Sequence, residues 1–210
     1  MAKNINDNPL NEDKLFSIAG YIAILVILVA IISLGMRLTG YATTDTAIVN
    51  VTIDTTASIV FITDLIEFGR GNVIGTNTSA TLYSNNTPVE GGNWSAIDTH
   101  FELQNNGNKN VSLQLKGGKT AQQLLSGASP SYQYMVRDKT GEEGSCTDGA
   151  ISLDTFYDVN VTDSGTVICG NLSATDTMDE IWIDVKLVIP SDSLSGNQFD
   201  TFTATGTANG

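Results

Sequence analysis

One histidine, two cysteines and four prolines occur in 210 residues. The lone His100 leaves an imidazole metal site without partner ligands. It also leaves a Ser-His-Asp arrangement without the G-x-S-x-G elbow that would present its nucleophile. The cysteines, Cys146 and Cys169, match neither a zinc spacing nor a C-x-x-C redox pair. Basic residues are scarce too: ten Lys and Arg stand against 23 Asp and Glu, for a net charge of −13. Phosphate binding needs a basic face, so nucleic acid is excluded as a partner. Gly69-Arg70-Gly71-Asn72 is too short for a phosphate loop and lacks the strand–helix context of one.

Charge is absent altogether from Leu15 to Gly35, LFSIAGYIAILVILVAIISLG. As a helix this run rises about 31 Å, the thickness of a bilayer's hydrocarbon core. Signal-peptide apolar regions are shorter, and no clean A-x-A site follows, so a retained anchor is expected rather than a cleaved leader. Lys3 and Lys14 flank one end and Arg37 the other, which favours a cytoplasmic N-terminus only slightly. The expected organisation is a cytoplasmic segment 1–14, a transmembrane anchor helix 15–37, a Thr/Ala/Gly tether 38–47 and an extracellular domain 48–210.

Two features of the distal part agree with an external location. Seven N-x-S/T sequons, at Asn50, Asn77, Asn85, Asn93, Asn110, Asn160 and Asn171, all follow the apolar run. They are candidate N-glycosylation sites, although a chain so rich in Asn, Ser and Thr carries several by chance. In an oxidising compartment the simplest reading of Cys146 and Cys169 is one disulfide, with two buried thiols as the alternative. That bond would restrict the unfolded chain by roughly 3 kcal/mol.

Beyond the tether the hydrophobic period becomes two. Val49, Val51 and Ile53 alternate with polar residues, as do Phe101 and Leu103, and then Val111, Leu113 and Leu115. The longest case is Glu180–Pro190, with Ile181, Ile183, Val185, Leu187 and Ile189 on one face. Such alternation marks half-buried antiparallel strands. Asn105-Asn106-Gly107-Asn108 reads as a hairpin loop, and KTAQQLLS (Lys119–Ser126) as one short helix. Eight to ten strands are expected. The fold class is mainly β: a transmembrane helix followed by one antiparallel Greek-key β-sandwich, Ig-like or jelly-roll-like.

Several segments resemble a known group. They are the tether Thr39-Gly40-Tyr41-Ala42-Thr43, the V-N-V-T-I stretch Val49–Ile53, the D-x-I-x-F-G segment Asp64–Gly69, the N-N-G-N-x-N-V-S-L run Asn105–Leu113 and the I-x-I-D-V-K-L-x-I-P strand Ile181–Pro190. Together they resemble archaeal cell-surface β-sandwich proteins with a single N-terminal anchor. Weaker similarity extends to TasA/camelysin-type fibre proteins and bacterial surface sandwich modules. The resemblance implies location and fold and carries no catalytic residues.

The remaining candidates for chemistry are few. Glu142-Glu143 and Asp179-Glu180 are neighbouring carboxylates, which point apart on a strand and read as solvated surface. No cofactor is expected. The one metal considered is a structural calcium near Asp148, Asp158 and Asp163, and no D-x-D-x-D-G loop is present for it. Trp94, Tyr132, Tyr134 and Trp182 could stack on sugars. Trp182 lies opposite the apolar face of its strand, so with Val188 it is expected to form a contact surface unless a loop covers it. The function read from this is a non-enzymatic, membrane-anchored surface protein. It would be an envelope component or a fibre or pilus-like subunit whose partners are the lipid bilayer and copies of itself. It departs from type IV pilins, lacking a Lys-Gly processing site and an early helix Glu. The alternative is an adhesin-like module that binds glycan or another cell.

Overall fold

The computed structural model describes residues 12–38, 50–51 and 56–210, and within the first helix the side chains of residues 17 and 19–32. Two compact units are present, residues 1–52 and residues 53–210. The first contains helix α1, Glu12–Leu38. No proline interrupts it, and every side chain from 19 to 32 is exposed within that unit. Among the described residues no helix is long and apolar enough to cross a membrane. The described side chains span 14 residues, short of the roughly 20 that a crossing takes. The membrane expectation for 15–37 therefore extends beyond them. The tether 38–47 lies almost wholly outside the described residues. So do Val49 and Ile53 of the expected first strand, while Asn50 and Val51 belong to no strand.

The second unit is mainly β and antiparallel. One six-stranded sheet runs β1-β3-β9-β5-β7, with β2 also paired to β9. Its strands are β1 (Ile59–Thr63), β2 (Ser79–Tyr83), β3 (Phe101–Asn105), β5 (Ser131–Asp138), β7 (Phe156–Asp158) and β9 (Glu180–Pro190). A four-stranded sheet runs β10-β4-β8-β6, built from β4 (Val111–Gly117), β6 (Cys146–Thr147), β8 (Thr166–Leu172) and β10 (Phe202–Ala208). The short helix α2 (Ala121–Leu124) forms where expected, started by a reciprocal capping box between Thr120 and Gln123.

Alternation determines what each sheet buries. Leu103, Tyr134, Val136, Ile181 and Ile183 of the larger sheet share one core with Val111, Leu113, Leu115, Ile168 and Leu172 of the smaller. The two sheets thus pack face to face, as in a β-sandwich. Phe202 of β10 bridges them, edge-on to Phe101 at 5.5 Å and to Tyr132 at 5.6 Å. Tyr132 and Tyr134, considered above for sugar stacking, are core residues, 5% and 1% exposed. A second apolar cluster places Leu124 and Leu125 with Leu82, Val185 and Leu187.

The loop after Asn105 is not a hairpin. β3 and β4 lie in different sheets, so residues 106–110 form an arch across the sandwich. Asn105, 1% exposed, holds the arch from within. Its Nδ2 donates to the carbonyls of Lys109 (2.9 Å), Leu172 (3.3 Å) and Ser173 (3.0 Å), and its Oδ1 accepts from Gly107 N at 3.1 Å. The sequence signal for a turn is the same in both cases. What differs is the partner of β4, which is β10 on one side and β8 on the other.

Cys146 and Cys169 are joined, with Cα atoms 5.7 Å apart. The bond links β6 to β8 within the smaller sheet, and both residues are buried. Replacing Asn105 with Ala should lower unfolding stability by about 3 kcal/mol, since it removes four hydrogen bonds from a buried position. Chemical denaturation of the full chain at fixed pH measures this.

Candidate functional site

The inner face of β9 is spent on the core, so polar chemistry collects on its outer face. Trp182, Asp184, Lys186 and Val188 alternate there, as the period of two requires. β9 is also long enough to serve two neighbours on one side. Residues 180–183 pair with β3 and residues 186–190 with β2. Asp184 and Val185 fall at the junction. Ser84, just past β2, fills the gap: its N–H donates to Val185 O (3.0 Å) and its Oγ accepts from Val185 N (2.8 Å).

Asp184 is fully buried at this junction. Arg137 Nε donates to its Oδ2 at 2.6 Å and Ser84 Oγ to its Oδ1 at 3.4 Å. Arg137 and Trp182 are cross-strand partners, and the guanidinium carbon lies 4.4 Å from the indole centre. The His100 ring stacks on the same indole with centroids 3.9 Å apart. Burial lowers the His100 pKa, so the imidazole is neutral beside the guanidinium. Trp182 is therefore half-covered, by His100 from the segment before β3 and by Arg137 from the neighbouring strand β5. Val188 is half-buried between Thr81 and Ser131.

At the start of β9 lies a second cluster. Glu142, Asp179 and Glu180 each offer a carboxylate oxygen within 4.8 Å of the others. Glu142 Oε2 accepts from the backbone N–H of Asp179 and of Glu180, both at 3.1 Å. Lys139 Nζ donates to Glu102 at 2.9 Å and to Glu180, and stands 3.6 Å from Glu142. The hydrogen bond to Glu102 is the main cause that raises the Lys139 pKa. Gln104 Nε2 donates to Asp179 Oδ2 at 3.3 Å, while the buried Oδ1 has no hydrogen-bond partner. Burial, then the Glu142 charge, pushes the Asp179 carboxyl above its ordinary value of 3.8.

This overturns the surface reading of Asp179-Glu180, which are 4% and 8% exposed. Asp179 precedes the strand, so the pair is not bound by strand alternation and both carboxylates reach Glu142. Glu143 is exposed. Asp148, Asp158 and Asp163 do not come together. Gln133 bonds Asp158 at 2.9 Å, and Lys116 lies 3.8 Å from Asp163. Trp94 sits in a slot that glycine makes possible, because a Cβ on Gly71 or Gly92 would meet its ring at 2.2 or 2.7 Å.

Several sequon asparagines are engaged through the Nδ2 atom that would carry a glycan. Asn77 donates to Ile74 O, Asn93 to Asn72 Oδ1, Asn160 to Gly165 O and Asn171 to Thr147 Oγ1. Asn85 and Asn110 instead use Oδ1, accepting from Thr87 Oγ1 and Ala174 N. Asn110 and Asn171 also line an open depression of about 340 Å³ with Asn108, Lys109, Asn209 and Gly210. Its one charged side chain is that of Lys109. No family model, curated protein or solved structure matches this chain.

Two outcomes follow from the charges. Arg137→Ala strands Asp184 in the sheet and should cost about 3–5 kcal/mol of stability, read by urea denaturation. Asp179 titrates with the opposite sign to a paired carboxylate. Its folded form holds the proton more tightly than the unfolded form, so stability is lost as pH rises from 3.8 through the raised folded value. Asp179→Asn removes this loss. In chelator, its stability advantage over the unaltered chain should therefore widen as pH rises through that window.

Proposed function

We propose that this is a non-enzymatic, membrane-anchored cell-surface protein, a structural component of an envelope or of a fibre. α1 would be a single-pass anchor, with the N-terminus cytoplasmic and the β unit outside. The observation that carries this reading is α1 itself. Its described side chains from 19 to 32 are exposed all round, and 12 of the 14 are apolar in type apart from Gly20 and Tyr21. A helix that is apolar on every side needs lipid or copies of itself as cover. The Cys146–Cys169 bond supports an oxidising location for the rest.

The β unit fits a load-bearing role better than a catalytic one. Its one histidine is half-buried against Trp182, and its strongest polar contacts are internal ion pairs. The strand order, with β3 crossing to β4 and β8 returning to β9, also favours Greek-key connections.

Membrane fractionation of cells expressing the full chain tests location. The protein should stay with membranes through an alkaline wash, and external protease should reach the β unit; recovery in the supernatant would refute the anchor. An Ala30→Cys variant separates the two kinds of cover. Rapid cross-linking together with polymers in electron micrographs means helix-to-helix assembly. Dispersed, uncross-linked protein means a passive lipid anchor and eliminates the fibre version.

A further inference from the structure

We propose that Glu142, Asp179 and Glu180 form a binding site for a hard divalent cation of calcium's class. The site lies at the start of β9 and is distinct from the aspartates around the cysteine loop. Its donors are all oxygen, the set that suits calcium, magnesium or manganese rather than zinc or copper. The spacing admits calcium. Ligands at about 2.4 Å put opposite oxygens about 4.8 Å apart, so three oxygens within 4.8 Å of one another can share one calcium sphere.

A second observation points to the same ligand. Asp179 is 96% buried, being 4% exposed, and its Oδ1 has no hydrogen-bond partner. Its other oxygen is already held by Gln104. A carboxylate oxygen without a partner in that setting is costly unless protonated or bound to a cation. Charge gives the same answer. Glu102, Glu142 and Glu180 surround one ammonium, that of Lys139, and Asp179 adds a further carboxylate beside Glu142 and Glu180. One positive charge leaves most of the cluster's negative charge uncompensated.

Lys139 is then the cation's competitor. It touches Glu142 and Glu180, two of the three ligands, and also Glu102, which is not one of them. When a divalent ion enters, the ammonium can retain Glu102 and release the other two. The bound ion would fasten the segment that leads into Cys146 to the first residues of β9, beside the disulfide that fastens the same segment to β8.

Calorimetric titration of the full-length chain in detergent with calcium chloride, paired with thermal melts, tests this. The expected result is a saturable uptake of one calcium with a rise in melting temperature. Asp179→Asn should weaken binding about tenfold or more, as loss of one of three charged ligands predicts. Lys139→Gln should tighten it, a result that a merely structural lysine would not give. Asp179→Asn relieves buried charge, so this variant is expected to fold, and its own melt checks that. Absence of saturable calcium heat in both the unaltered chain and Lys139→Gln overturns the proposal. So does undiminished binding by Asp179→Asn, which would mark diffuse attraction to an acidic surface.

Discussion

The β unit is organised by the division of β9 into two faces. Residues 181–188 pair with β5 along one side, and residues 180–183 and 186–190 pair with β3 and β2 in succession along the other. The core residues Ile181, Ile183, Val185 and Leu187 cannot shift by one position without exchanging places with Trp182, Asp184 and Lys186. Such a slip would take the Asp184 carboxylate from Arg137 and Ser84 into the apolar core, with the Lys186 ammonium, and turn four aliphatic side chains to the outer face. Register is thus fixed by chemistry on both faces. The polar clusters on the outer face follow from that fixed register rather than from independent requirements.

The outer face also repairs what the topology leaves open. A strand that serves two neighbours on one side must have a junction between them. Here the junction exposes Val185 N–H to a missing carbonyl, and the Ser84 hydroxyl substitutes for it. Asp184 then fixes Ser84 and Arg137 together, and Arg137 lies over Trp182. A buried ion pair of this kind adds little net stability over an apolar replacement, but losing one partner is costly. Its contribution is to specify which three strands meet at this point.

Strand content, the short capped helix, the cysteine pairing and the apolar face of β9 were legible because each depends on local sequence: period, capping residues, cysteine count. The arch at Asn105–Asn110 was not. N-N-G-N states that the chain turns, whereas the sheet that receives β4 is decided by β8 and β10, more than 50 residues away in sequence. Trp182 was correctly placed on the outer face, yet its cover comes from His100 and Arg137, which sequence spacing does not connect to it. The acidic cluster was concealed for a related reason. Glu142 and Asp179-Glu180 are separated by 37 residues or more, and only the return of the chain from β8 into β9 brings them together.

The two units present opposite physical problems. The described side chains of α1 expose apolar surface to solvent, while the start of β9 concentrates negative charge. On the proposed readings, lipid or sister helices would cover the first and a cation would offset the second. The two solutions need not be linked. On the proposed surface location they would have a common consequence. The proposed anchor would fix the chain to a surface, and a calcium-class ion at the segment 139–146 would make the β unit's rigidity respond to the ions of its surroundings. In a domain already closed by one disulfide at the same segment, the cation would act on the part of the fold where the chain crosses between the two sheets.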